Sequence, residues 1–319
     1  MEQNIEKEKF SPPNCAELLQ KFKEKKALPP GKKLLFSGVG ENDVYNISAP
    51  FRIGNKTVIS GRVEAREATA DSHIVFFEEK KGVWVPTKNA PKPPLALEDG
   101  FATHIGDETI FGGVEVYPSP TATDSRRIGY RTALYRGHDL PSLQKFAVGP
   151  DMMKNIRLVL LTNGRIGVFT RPQEGSSGRG KIGYTELSRL EDLNAENILN
   201  ARIIENQFVS EEWGGADELH PLEDGEIGII GHIASQDREG LKHYYAMSFV
   251  YDPKTHQASP IEIIATRKNF PQGEAKTQEL ADIVLPGGYD RKTATLYAGL
   301  SDAEAGSISL PDPFLKLKK

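Results

Sequence analysis

The sequence of 319 residues contains a single cysteine, Cys15. One thiol excludes an internal disulfide and a cysteine zinc site, and it fits a reducing compartment. Long apolar runs are missing too; none approaches the roughly 20 residues of a membrane helix. The charged start, residues 1–9, lacks an apolar h-region, so no signal peptide is read and a cytoplasmic location is expected. Basic excess is absent. Forty Lys and Arg face 44 Asp and Glu for a net charge of -4, which argues against a nucleic-acid binder, whose face must be basic. The one basic run, Lys316-Leu317-Lys318-Lys319, reads as a solvated tail. The seven histidines are scattered without metal-ligand spacing, so no metal site is expected. The run Gly175-Ser176-Ser177-Gly178-Arg179-Gly180-Lys181-Ile182 approaches a phosphate-binding P-loop. Ile182 stands where a Ser or Thr would hold magnesium, and a strand rather than a helix follows, so an ATPase is not the reading. Amphipathic helices are scarce; the single candidate is 15–26, where Leu18, Leu19 and Phe22 recur at helical spacing.

What is abundant is turn chemistry. Glycine (30) and proline (21) are frequent, and everything after residue 32 reads as short strands between turns. A polar turn leads into an alternating or apolar strand five times: Gly54-Asn55 before 56–64, Gly106-Asp107 before 109–117, Asn163-Gly164 before 165–171, Asp224-Gly225 before 226–234, and Asp290-Arg291 before 293–300. An apolar strand also precedes each turn. The spacing, roughly 50 to 65 residues, is that of one four-stranded propeller blade with loops. The expected fold is all-β, a five-bladed β-propeller over 33–314, with an N-terminal extension 1–32 carrying a short helical segment and a basic tail 315–319. A pair of β-sandwiches is the alternative. The last blade looks one strand short, and 33–39 is expected to supply that outer strand and close the ring.

In a propeller the innermost strands line a central channel. Those positions are polar here: Asn46, Ser48 and Arg62 in the first blade; Glu98, Asp99 and Glu115 in the second; Lys154, Arg157 and Arg171 in the third; Asp217, Glu218 and His232 in the fourth; and Asp302 in the fifth. Several acids and guanidiniums in one pocket suit a polyhydroxylated ligand that bears phosphate. Glu98 and Asp99 are adjacent and point to opposite faces of a regular strand. Both can face the channel only if the strand bulges, which Gly100 permits. The Pro-rich 89–94 reads as a blade connector. Trp213 offers either a sugar-stacking face or a buried ring, and only one of Tyr244 and Tyr245 can face the pocket.

Several stretches carry a family likeness: Tyr45-Asn46-Ile47-Ser48-Ala49-Pro50, Leu97-Glu98-Asp99-Gly100-Phe101-Ala102-Thr103, Lys154-Asn155-Ile156-Arg157, Arg165-Ile166-Gly167-Val168-Phe169-Thr170-Arg171-Pro172, Gly231-His232, and Ala298-Gly299-Leu300-Ser301-Asp302. In this order, one set per blade, they resemble the mannosyltransferase/phosphorylases of glycosyltransferase family 108, once catalogued as a domain of unknown function. They are more distantly similar to the β-mannoside phosphorylases of glycoside hydrolase family 130, where proline and arginine usually stand in place of Gly100 and Phe101. The resemblance implies inverting phosphorolysis of β-1,2-linked mannosides, or the reverse transfer, with Asp99 as general acid. The partners are then a β-mannoside oligosaccharide and phosphate, with inorganic phosphate as co-substrate and no other cofactor. A homo-oligomer is left open.

Within that reading Arg and Lys, whose donors match phosphate oxygens, make Lys154, Arg157, Arg171 and His232, with Arg131 behind them, the phosphate-site candidates. Asn46, Ser48, Arg62, Glu98, Glu115, Asp217, Glu218 and Asp302 are the sugar-binding candidates. A proton donor at neutral pH needs an elevated pKa, and burial beside Glu98 or Glu115 is expected to raise that of Asp99. Two other classes compete. A propeller hydrolase of fructosidase or arabinanase type needs a first-blade carboxylate, where Asn46 stands with Asp43 close by. A non-catalytic sugar-binding propeller needs no acid at all.

Overall fold

A computed structural model describes residues 11–67, 72–92, 94–119, 128–173 and 179–315. The start 1–9, the Gly175 to Gly178 part of the P-loop-like run and the Lys316 to Lys319 tail lie outside the described residues. Helix α1 (Cys15–Lys23) opens the described chain with a capping box, in which Asn14 and Glu17 each bond the other's backbone N–H. Two short strands follow, β1 (Lys32–Lys33) and β2 (Leu35–Phe36).

The remainder consists of antiparallel groups laid down one after another. The first holds β3 (Asp43–Tyr45), β4 (Phe51–Ile53), β5 (Lys56–Glu64), β6 (His73–Lys80) and β7 (Val83–Pro86). The second holds β8 (Glu98–Ile105), β9 (Glu108–Pro118), β10 (Ile128–Gly137) and β11 (Gln144–Val148). β12 (Arg157–Leu160), β13 (Ile166–Thr170), β14 (Gly183–Leu187) and β15 (Arg202–Ile203) make the third, with the short helix α2 (Ala195–Leu199) before its last strand. The fourth is β16 (Trp213–Pro221), β17 (Ile227–Gln236), β18 (Lys242–Asp252), β19 (Gln257–Ala258) and β20 (Glu262–Ala265). β21 (Asp282–Asp290), β22 (Thr295–Leu300) and β23 (Glu304–Ser309) make the fifth. Gly54, Gly106, Gly164 and Gly225 sit at positive φ in the first four hairpin turns, which a residue without Cβ adopts freely.

Each interface between successive groups is filled by its own apolar cluster. Ile53, Phe76 and Phe111 join the first to the second, and Leu134, Leu158 and Val168 the second to the third. Phe169, Tyr184 and Phe249 lie between the third and fourth, with Cys15 and Leu18 of α1 inserted at the same seam. Val250, Val284 and Leu296 fill the next interface. Ile47, Ile59, Phe77 and Ala305 tie the last group back to the first. Full burial of each such side chain contributes about 1.5–3 kcal/mol, so the groups are held in a ring mainly by these seams. Backbone pairing adds to the seam between the fourth and fifth groups, where β18 and β21 run parallel with His243 opposite Asp282.

The ring closes differently from the sequence expectation for 33–39. Lys32 and Lys33 pair with β23, opposite Ser307 and Gly306, and the Leu34 N–H donates to the Ala305 carbonyl. The chain then crosses, and Leu35 and Phe36 pair in parallel with Val83 and Trp84 of the first group. The segment thus bridges the last group and the first, because Leu34 and Phe36 pack into the cluster between them while Leu35 points outward. Among the described residues no helix is long and apolar enough to cross a membrane.

Candidate active site

The first strands of the groups begin around one central cavity of about 210 Å³. Backbone irregularity turns polar side chains into it. Asn46, Asp99, Asn155 and Asp302 all have positive φ, at 42°, 51°, 61° and 50°. Asn and Asp tolerate that region better than other side chains, and such strained positions gather at functional sites. In the fourth group a register shift between Ala216 and Glu218 does the same for Asp217. A register shift between Glu98 and Phe101 lets both Glu98 and Asp99 line the cavity.

One side of the cavity carries acids. Asp99 Oδ1 accepts a hydrogen bond from Asn46 Nδ2 at 2.8 Å and lies 3.6 Å from Arg62 Nη1. Arg62 Nη2 donates to Glu98 Oε1 at 3.0 Å and to Glu64 Oε2 at 2.8 Å. Glu64 is 1% exposed. Lys276 pairs with it from the loop between the fourth and fifth groups, so Arg62 is held from both sides. Burial pushes all three cavity carboxyls on this side upward. For Glu98 and Asp302 it prevails. For Asp99 it is outweighed by Arg62, Lys154, the Asn46 amide and Arg157, which hold its carboxyl below the usual carboxylate range. The elevation expected for Asp99 therefore falls on its neighbours, because cations from other groups reach Asp99 first.

The other side is cationic. Arg171, 3% exposed, donates from Nε to the Gly214 carbonyl at 2.6 Å, while its buried Nη1 has no hydrogen-bond partner among the described residues. His232 Nδ1 bonds Asp217 Oδ2 at 2.8 Å, and its ring stacks on Tyr244 with centroids 5.6 Å apart. Asn155 Nδ2 donates to Asp217 Oδ1, and Arg157 Nε donates to the Asp217 carbonyl at 2.7 Å. The Arg157 guanidinium lies 3.7 Å from the centroid of the Phe101 ring, and burial pulls its pKa down to about 10. Gly215 makes room for this cluster: a Cβ there would sit 2.9 Å from both Arg171 Cδ and His232 Cε1.

Of the residues read from the sequence, Asn46, Arg62, Glu98, Asp99, Lys154, Arg157, Arg171, Asp217, His232 and Asp302 line this cavity. Four are elsewhere. Ser48 is buried in the first group, where its Oγ accepts the Ser60 N–H. Glu115 and Arg131 pair with each other at 2.9 Å on β9 and β10, with Lys145 on the same carboxylate and Arg131 over the Tyr117 ring. Glu218, next to Asp217 in the strand, lines a separate pocket with Arg52, His220 and Asp290 at the far mouth, where it accepts from Tyr289 N–H and pairs with His220 at 2.6 Å. Asn155 and Lys242, not singled out from the sequence, also line the cavity. An Asn, a residue that tolerates positive φ, directly after Lys154 and the i, i+2 spacing of Lys242 and Tyr244 are the signals that could have found them. Tyr244 faces the cavity and Tyr245 the core. Trp213 is buried and donates to the Tyr244 hydroxyl at 3.1 Å.

A family described as a protein of unknown function, DUF1861, matches residues 20–316. A mannose phosphorylase from Leishmania mexicana, MPT-4, in complex with phosphate ion is 34% identical, with 95% of each chain covered and a TM-score of 0.84. A GDP-Man-dependent mannosyltransferase from the same organism, MPT-1, is 31% identical over 96% of each chain, also at 0.84. At 12% identity and a TM-score of 0.58, over 90% of this chain and 98% of the other, the fold is shared with a structure from the family 130 mannoside phosphorylases and glycoside hydrolases that target β-1,2 mannosidic linkages in Candida mannan. No protein of curated function matches the sequence.

Proposed function

The chain belongs to the DUF1861 family, and on that premise we propose that it is a five-bladed propeller enzyme that cleaves β-1,2-linked mannosides with phosphate, inverting the anomeric carbon. One observation carries the reading. A buried guanidinium nitrogen of Arg171 has no partner among the described residues and belongs to a cationic wall, and the same cavity carries a carboxylate wall built on Asp99. An unpartnered buried donor is costly unless a ligand completes it. A phosphate held by Arg171, His232 and Lys154 does so.

In this mechanism the sugar ring lies between the walls. A phosphate oxygen forms the bond to C1 while the bond from C1 to the leaving oxygen breaks. Asp99 gives its proton to the leaving oxygen, directly or through a sugar hydroxyl. Phosphate is the nucleophile, so no second catalytic carboxylate is required; a hydrolase would need one to activate water. Asn46, Arg62, Glu98 and Asp302 hold sugar hydroxyls. Asp217 orients His232 by taking its Nδ1–H, which leaves the unprotonated Nε2 to accept the P–OH of a hydrogen phosphate. The 31% identity to a GDP-Man-dependent transferase favours one second reading, transfer from a nucleotide sugar. The cavity of about 210 Å³ is below the roughly 300–1,000 Å³ of pockets for drug-sized ligands, which favours phosphate and one sugar ring over an enclosed nucleotide.

Incubation with β-1,2-mannobiose, with and without inorganic phosphate, tests the reading. Mannose 1-phosphate is expected only with phosphate, and Asp99→Asn is expected to lose about 10²–10⁴ in kcat while still binding phosphate. Free mannose released equally in both tubes would establish a hydrolase instead, and no turnover at all a binding protein.

A further inference from the structure

The carboxylate that must carry a proton is surrounded by groups that drive the proton off. Arg62 and Asn46 reach Asp99 from the first group, and Lys154 and Arg157 face it from the third. Glu98 beside it, Asp302 from the fifth group and Asp217 with His232 from the fourth complete its charged surroundings. Behind Arg62 stand Glu64, Lys276 and the Tyr45 hydroxyl. Among the described residues, five Lys and Arg side chains line the cavity against four carboxylates, so with all of these ionised, and His232 left out of the count, the lining has a small positive excess. The Asp302 carboxyl has no hydrogen-bond partner among the described residues, although burial and Asp99 both favour its neutral form.

A phosphate dianion reverses that excess. It engages the Arg171 Nη1 that lacks a partner and draws on Lys154, one of the cations that face Asp99. A charge within about 4–6 Å moves a carboxyl's titration by about 1–3 pH units, so neutralising such cations weakens the hold on the ionised acid. We propose that anion binding and proton uptake are one event here: the phosphate arms the acid, and the proton settles on the Asp99–Asp302–Glu98 cluster. The inference rests on the phosphorolysis reading and adds an order of events to it. The proton on Asp99 goes to the leaving oxygen as the C1 bond to phosphate forms. The new ester sheds the proton the phosphate brought, and the balance is restored. Without the anion the leaving oxygen has no armed donor, so water gains no easy entry.

Sulfate separates the two claims, because it is a dianion with no proton to exchange at neutral pH. Calorimetric titration of the enzyme with sulfate at about pH 5.5, within reach of a carboxyl moved up by about 1–3 pH units, in two buffers of different ionisation enthalpy, is expected to show net proton uptake on binding. An infrared carbonyl band of a protonated carboxylic acid is expected to grow on sulfate addition and to vanish in Asp99→Asn. That variant is expected to bind sulfate about tenfold tighter, since its binding no longer has to work against the ionised form. Asn is suited to the left-handed backbone at both acids, so Asp302→Asn provides a second folded variant, expected to reduce the uptake. Sulfate that binds with no proton exchanged overturns the coupling and leaves phosphorolysis standing. Uptake unchanged in both variants without a carboxyl band puts the proton on His232 and overturns it as well. If neither sulfate nor phosphate binds, the anion site itself is wrong.

Discussion

At the scale of residues, charge is placed by backbone irregularities a single residue wide. Asp217 and Glu218 are neighbours in β16, yet one joins His232 in the cavity and the other pairs with His220 at the far mouth. The side-chain period of a strand is two, so a bulge decides which carboxylate reaches the substrate. Ten of the fourteen candidate site residues were legible because polar groups at the starts of inner strands have few other places to go. Ser48, Glu115, Arg131 and Glu218 were misplaced because their parity depends on bulges and pairings made by distant residues. The ionisation of Asp99 was illegible for a related reason: the cations Arg62, Lys154 and Arg157 arrive from two other groups of strands. Arg171 provides the residue-scale test of the anion wall. Charge-assisted hydrogen bonds are worth about 1.5–3 kcal/mol. Arg171→Gln is therefore expected to raise the KM for phosphate about 10–100-fold with little change in mannoside KM. An equal rise in both constants would make Arg171 a general structural cation instead.

At the scale of elements, the hairpins were the readable part. Each turn carries its own signal, and β5 runs over Lys56–Glu64 as its alternation predicts. The inner strands of the fourth and fifth groups are longer than the apolar runs suggested, because β16 and β21 continue through polar residues that pair with β17 and β22. The parallel pairing of β18 with β21 left no local trace; it is made by contacts between distant segments. Its edge carries a titratable clamp. His243 Nδ1 bonds Asp282 Oδ2 at 2.7 Å and Nε2 lies 3.3 Å from Asp237. Burial lowers the His243 pKa, but the hydrogen bonds and charges of Asp282 and Asp237 outweigh it and leave it raised. A raised imidazole stabilises the fold fully below its unfolded value, about pH 6.5, and that contribution fades as pH climbs through the folded value. The urea midpoint is expected to fall from pH 6 to above neutral, with a smaller fall in Asp282→Asn. Equal slopes in the two proteins would show that the clamp does not contribute.

At the scale of the whole molecule, the repeated hairpins announce a closed arrangement, while the way it closes is set by two residues of β1 and two of β2. These four residues cover β23 on one side and extend β7 on the other. A variant lacking 1–37 would present both edges to solvent. It is expected to melt at a lower temperature, with a less cooperative transition and light scattering on heating; a melting curve matching the parent would show that the seams left after losing Cys15, Leu18, Leu34 and Phe36 suffice. The geometry also bears on synthesis. Lys32 leaves the ribosome well over two hundred residues ahead of its partner Ser307. The clasp must therefore wait until β23 has been made, and the strands synthesised in between stay unlatched until then. Such an arrangement relies on late zippering of contacts far apart in sequence, which is intrinsically slow.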